Sequence, residues 1–148
     1  MMIKEFQGEY RYLSNFYPCE IEYEGIIFDS VEKAYQSAKT NDPKLREEIS
    51  LLDSPGKAKR FFRNRKKDVR EDWHEVKYSI MRDLLHKKFV ENDYFLRKLL
   101  STGNSDIQEG NFWGDKEWGV DLKTGEGKNI LGKMIMEIRK EIREEEGK

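Results

Sequence analysis

The chain has one cysteine, Cys19, and two histidines, His74 and His86, among 148 residues. An internal disulfide is thereby excluded, and no Cys/His set exists for a structural zinc site. Cys19 reads as a small, half-buried residue. No run of about 18 apolar residues of the kind that spans a bilayer is present, and no basic segment leading into an apolar one opens the sequence. The expectation is a soluble, cytoplasmic protein with no membrane partner. Neither sign of charge dominates: 28 Lys and Arg stand against 29 Asp and Glu, a net charge of -1. That balance argues against a general polyanion binder, so attraction for phosphate has to come from a local cluster. Internal repeats and linkers are also missing, and the length suits one domain, residues 1–148, around a single core.

What is present is mainly helical patterning. Glu20 to Phe28 reads as a β-hairpin turning near Glu24-Gly25. Asp29 or Ser30 can cap a helix running to about Lys39, with Val31, Ala34, Tyr35 and Ala38 as its apolar stripe. Pro43 and Pro55 each suit the first residue of a short helix. A longer helix from about Asp72 to Val90 is expected to bury Val76, Ile80, Met81, Leu84, Leu85 and Phe89. After Asn92 a further helix from about Asp93 ends at Gly103, and the last begins near Asn129, with Leu131, Met134, Ile135, Ile138 and Ile142 inward and a frayed end from Glu141. The class is α+β, a mainly helical single domain with a small antiparallel sheet near the N-terminus.

Four segments carry polar chemistry. The tract Glu109-Gly110-Asn111-Phe112-Trp113-Gly114-Asp115-Lys116-Glu117-Trp118-Gly119 concentrates two of the three tryptophans with three carboxylates. Its glycines suit neither helix nor strand, so it reads as a loop, either Trp-anchored in the core or carrying a site. On the first helix Glu32, Tyr35, Gln36 and Lys39 share a face. The helix dipole alone rewards this charge order, and a Glu and Lys at a cleft rim could equally be tuned for acid-base or amine chemistry. In the stretch Tyr10 to Pro18, Arg11, Ser14 and Asn15 stand among aromatics including Phe16, which suits core packing or the binding of a base and phosphate. Between Lys57 and Lys67, seven of eleven residues are basic and none is acidic. This is a solvated face or a phosphate-capturing patch that includes Arg63.

In order along the chain, Phe6-Gln7-Gly8-Glu9-Tyr10-Arg11-Tyr12-Leu13-Ser14-Asn15-Phe16-Tyr17-Pro18, Ser30-Val31-Glu32-Lys33-Ala34-Tyr35-Gln36-Ser37-Ala38-Lys39-Thr40, Arg70-Glu71-Asp72-Trp73, Glu109 to Gly119 and Gly127-Lys128-Asn129-Ile130-Leu131-Gly132 resemble the NADAR (YbiA-like) family over nearly the whole chain. The resemblance implies a compact, mainly helical N-glycosidase that cleaves a ribose C1–nitrogen bond, a reaction no step of which requires a metal or other cofactor. It implies two substrate classes: ADP-ribosylated guanine in DNA or RNA, removed in antitoxin fashion, and phosphorylated ribosylamino-pyrimidine intermediates of riboflavin synthesis. A binding module for ADP-ribose or NAD is the competing class. The resemblance carries a catalytic group onto Glu32, Lys39, Glu109 and Asp115, and a substrate lining onto Asn15, Phe16, Tyr35, Gln36, Trp73, Trp113 and Trp118. Arg11, Ser14, Asn111 and Arg63 are added to the binding set. Where relatives often have Ala-Lys-x-x-Gly-Arg, this chain has Ala58-Lys59-Arg60-Phe61-Phe62-Arg63, and a Phe at 62 blocks close backbone approach.

Overall fold

Glu24 and Gly25, at φ of 50° and 82°, turn the chain between β2 (Ile21–Tyr23) and β3 (Ile26–Phe28), which pair antiparallel with Ile21 opposite Phe28. The expected hairpin is therefore present. It belongs to one of two compact units into which the chain divides in this computed structural model, which describes residues 1–147. That unit is Asn15–Lys88; the other combines Met1–Ser14 with the chain from Phe89 onward.

In the Asn15–Lys88 unit, α1 (Val31–Ser37) starts where Ser30 Oγ accepts from the Lys33 amide at 3.2 Å. This replaces one of the hydrogen bonds that every helix start lacks. Prolines open α2 (Pro43–Ser50) and α3 (Pro55–Arg60), with Asp42 and Ser54 as their caps. Their fixed φ and missing N–H fit the first helical turn. Both short helices and the hairpin pack against α1, so that all seven of its residues are buried. The helix α4 (Trp73–Val90) adds Met81, Leu84 and Leu85 to this core. Val76 and Ile80, expected in the core, are only half-buried, whereas Lys88 is completely buried.

In the other unit Asn92 is the cap of α5 (Asp93–Leu100), its side chain accepting from the Tyr94 and Phe95 amides. Gly103, at φ 62°, ends the turn after the helix. The helix α6 (Ile130–Glu146) buries Leu131, Ile135, Ile138 and Ile142, with Met134 half-buried. It runs on through Glu146, so the fraying expected from Glu141 is not observed; Lys148 lies outside the described residues.

Two strand pairs here have no counterpart in the periodicity. β1 (Met2–Ile3) pairs in parallel with β4 (Asp106–Ile107), and β5 (Gly110–Asn111) with β6 (Val120–Asp121). The start of the tract read entirely as loop is thus a strand. The observed class is α+β and mainly helical, its sheet component divided among three two-stranded pairs. Among the described residues no helix is long and apolar enough to cross a membrane.

Candidate active site

The α1 face predicted from spacing is real and more deeply buried than a cleft rim: Glu32, Tyr35 and Gln36 are 8%, 6% and 4% exposed. Gln36 Nε2 donates to Glu32 Oε1 at 2.8 Å, one helical turn apart. The Glu32 amide, left open at the helix start, donates to the Asn15 carbonyl at 3.0 Å, which brings Asn15 to the same place. Asn15 Nδ2 in turn points at Met81 Sδ at 3.6 Å, a weak acceptor. Among the described residues only two buried side-chain oxygens have no hydrogen-bond partner, Asn15 Oδ1 and Gln36 Oε1. Buried acceptors are rarely left unmatched, and such orphans in a native structure ask for a donor.

Lys39 lies two turns after Glu32, just beyond the helix end. Burial pulls its ammonium below the ordinary lysine range; the Glu32 charge opposes that and Lys77 reinforces it. Its Nζ stands 5.9 Å from the Trp73 ring centroid and 6.0 Å from that of Phe62. Trp73 packs at 5.0 Å on Tyr35, so two of the aromatic residues expected as lining meet. Phe16 is exposed, with Lys59 Nζ 6.0 Å above its ring. All seven basic residues from Lys57 to Lys67, including Arg63, are exposed. Lys57 is partly neutralised by Asp53, and Arg65 by Glu48. An open groove of about 660 Å³ lies on the same unit, lined by 40–42 and 67–72. It contains none of the predicted site residues, and volume alone gives it no chemistry.

The remaining predicted residues lie in the other unit. Asn111 is 1% exposed and organises the tract: its Nδ2 donates to Glu109 Oε2 at 3.2 Å and to the Asp115 carbonyl at 2.9 Å, while its Oδ1 accepts from the Asp115 amide at 3.0 Å. Asp115 Oδ1 accepts from the amides of Glu117 and Trp118, each at 3.0 Å. This carboxylate therefore shapes the turn, an Asx-type arrangement. Asn129 ties the same region to α6, its Oδ1 accepting from the Glu109 amide at 3.0 Å and its Nδ2 donating to the Ile107 carbonyl at 2.9 Å. Trp113 is 61% exposed and Trp118 half-buried, so of the two tryptophans only Trp118 could anchor the tract. Ser14 is half-buried and Arg11 exposed. No group of three or more His, Cys, Asp or Glu side chains among the described residues is placed to hold a metal ion.

Sequence reasoning did not assign Phe62 to the site, although it singled out the unusual ring at that position. It also missed Gly119, which backs Glu109, because a glycine after a tryptophan in a turn-rich tract carries no mark of what it touches.

Comparison with known proteins bears on this arrangement. The family described as NADAR domain matches residues 2–143. The chain belongs to the NADAR family. It is 36% identical over 134 residues to the Escherichia coli K12 N-glycosidase YbiA, covering 90% of this chain and 82% of that protein. A riboflavin biosynthesis protein of Vibrio vulnificus is 34% identical over 137 residues, and there the chain spans only 36% of the relative's length. The N-glycosidase of Nostoc punctiforme is 34% identical, with 86% of its length covered. The NMR structure of E. coli YbiA superimposes with a TM-score of 0.84 at 33% identity, covering 99% of this chain and 86% of that one. The NADAR match extends across both units, and the mainly helical fold is that of YbiA.

Proposed function

We propose that the chain is a single NADAR domain that hydrolyses the bond between ribose C1 and a nitrogen, and that its substrate is ADP-ribose linked to guanine in nucleic acid. The observation that carries this reading is the buried Glu32–Gln36 pair with two orphan acceptors, Gln36 Oε1 and Asn15 Oδ1, in the same unit as the desolvated Lys39. Ribose hydroxyls and the N–H groups of a purine are the donors such acceptors lack. A solvated surface helix needs none of this.

Hydrolysis breaks the C1–N bond, and its electron pair leaves with the nitrogen, which must take up a proton. Positive charge grows on the sugar, and a water oxygen joins C1 while losing its proton to a base. Two carboxylates can divide these tasks, as in O-glycoside hydrolysis. Glu32 is assigned one acid-base role, and Glu109 the anionic or water-activating role. Asp115 is assigned support of the tract through the two amides it caps. Lys39 either holds a phosphate or attacks C1 itself, forming a Schiff base with the opened ribose. Borohydride reduction separates these, because only the second leaves a ribosyl adduct on Lys39.

The exposed basic run supports the nucleic-acid substrate, since Arg and Lys recognise phosphate. The second reading, hydrolysis of ribosylamino-pyrimidine phosphates, is favoured by the relatives named riboflavin biosynthesis proteins in V. vulnificus and Zea mays. The test is mass-spectrometric product analysis with ADP-ribosylated guanosine and with a ribosylamino-pyrimidine phosphate, using Glu109→Gln as control. Free ADP-ribose and guanosine from the wild type alone support the first reading, and release only from the pyrimidine supports the second. Binding without release from either leaves a recognition module and overturns both.

A further inference from the structure

Lys39 is fixed at its backbone. Its amide donates to the Gln36 carbonyl at 3.1 Å and its carbonyl accepts from the Arg70 amide at 2.7 Å. The four-carbon stem beyond is free to choose among rotamers unless something holds it. Two rings flank its nitrogen, Trp73 at 5.9 Å and Phe62 at 6.0 Å, both 6% exposed. Each ring is itself held. Trp73 packs on Tyr35, while Phe62 meets the edge of Phe61 at 5.0 Å and 74°. Phe61 in turn lies under the Arg65 guanidinium at 4.5 Å, and Arg65 pairs with Glu48 on α2. Lys39, Phe62, Phe61 and Arg65 thus form a continuous series of cation, ring, ring and cation.

We propose that Phe62 is a positioning residue: with Trp73 it clamps the Lys39 side chain between two aromatic faces, aiming the nitrogen and setting its surroundings. Its value for catalysis rests on the reading of Lys39 given above, but the clamp itself is a matter of geometry. The ring has two opposing effects on the amine. Excluding water favours the neutral form, whereas the negative face of the ring favours the cation. Both distances lie at the outer limit of cation–π contact, so the second effect is modest. The charged groups acting on the amine are Glu32 from α1 and Lys77 from α4, and the turn after α3 presents the neutral Phe62 ring.

These effects separate by substitution. Phe62→Leu keeps the dry contact and removes the ring face, so the Lys39 pKa should fall. Phe62→pentafluorophenylalanine, of nearly the same size, reverses the charge of the face and should lower it further. Phe62→Ala admits water and should raise it toward the ordinary value. The readout is the pH dependence of Lys39 acetylation by acetic anhydride, quantified peptide by peptide by mass spectrometry, which requires no substrate. Opposite movement in the Ala variant and the two dry variants supports the clamp. Three unchanged curves, or three curves moving together, would overturn it, and the fluorinated variant guards against a Leu or Ala protein that folds poorly. Loss of the N-glycosidase reading would show as absent product release with these labelling curves intact.

Discussion

A methyl group on Gly119 would lie 1.8 Å from Glu109 Oε2 and 2.1 Å from the Glu109 carbonyl oxygen, so this carboxylate rests directly against bare backbone. Gly119→Ala therefore cannot be accommodated unless Glu109 moves, and Asn111 Nδ2 then loses one of its two acceptors, keeping the Asp115 carbonyl. Overpacking of this kind costs about 1–3 kcal/mol. The variant should melt a few degrees lower and lose turnover to the same extent as Glu109→Gln, which should melt normally. Steady-state kinetics and calorimetry on both proteins check this. Normal turnover in the alanine variant would remove Glu109 from the mechanism.

Glu32→Gln preserves volume and still offers Gln36 Nε2 an amide oxygen in place of Glu32 Oε1. Circular dichroism should be unchanged while kcat falls by about 10²–10⁴, the usual range for a general acid or base. A loss below about tenfold would assign this carboxylate to helix-dipole stabilisation.

Lys88 is completely buried, and desolvation lowers its pKa from 10.5 to about 8, with Cys19 acting in the opposite sense. Because the unfolded chain binds this proton more tightly, the contribution of Lys88 is full above pH 10.5. It declines as pH falls through the interval and is lost below about 8. Lys88→Met removes that dependence. The difference in unfolding free energy between wild type and variant should change by about 3 kcal/mol across the interval, measured by urea denaturation at its two ends. Parallel curves would mean that the ammonium keeps its proton inside the fold.

Under the nucleic-acid reading, log kcat/KM for an ADP-ribosylated oligonucleotide should fall linearly with log salt, by about 0.7 per phosphate neutralised on a single strand. The free ADP-ribosylated nucleoside should show almost no such slope. Arg60→Glu with Arg63→Glu should flatten the oligonucleotide slope, since both side chains are exposed and lie in the basic run. Equal salt dependence for the two substrates would favour small-molecule hydrolysis.

Helix starts were the most legible features of the sequence, because a cap is a local event. Ser30, Asp42 and Ser54 cap their helices through side chains of known preference, and Pro43 and Pro55 follow at the positions their rings favour. The polar face of α1 could also be read at Glu32, Tyr35 and Gln36, since i, i+3 and i+4 spacing is set by the helix itself, whereas the helix ends before Lys39. The parallel pairs β1–β4 and β5–β6 could not, because two-residue strands have no alternation to detect and their partners are set by tertiary context. Lys88 escaped notice because lysine is almost never fully buried. The division of labour in the tract was also invisible: Glu109 and Asp115 are both acids in a turn-rich segment, yet only the structure reveals that Asp115 caps two amides.

The β1–β4 pair joins Met2 to Asp106 and Ile3 to Ile107, so these residues pair with partners made more than a hundred positions later. At about 5–20 residues per second, that partner appears roughly 5–20 s after Ile3. The Asn15–Lys88 stretch is meanwhile complete. On the ribosome, the buried apolar Ile3 must wait for its strand partner, and a stalled or truncated chain ending before β4 leaves it without that pairing. Such a chain, rather than the finished protein, is the form most exposed to chaperones and proteases.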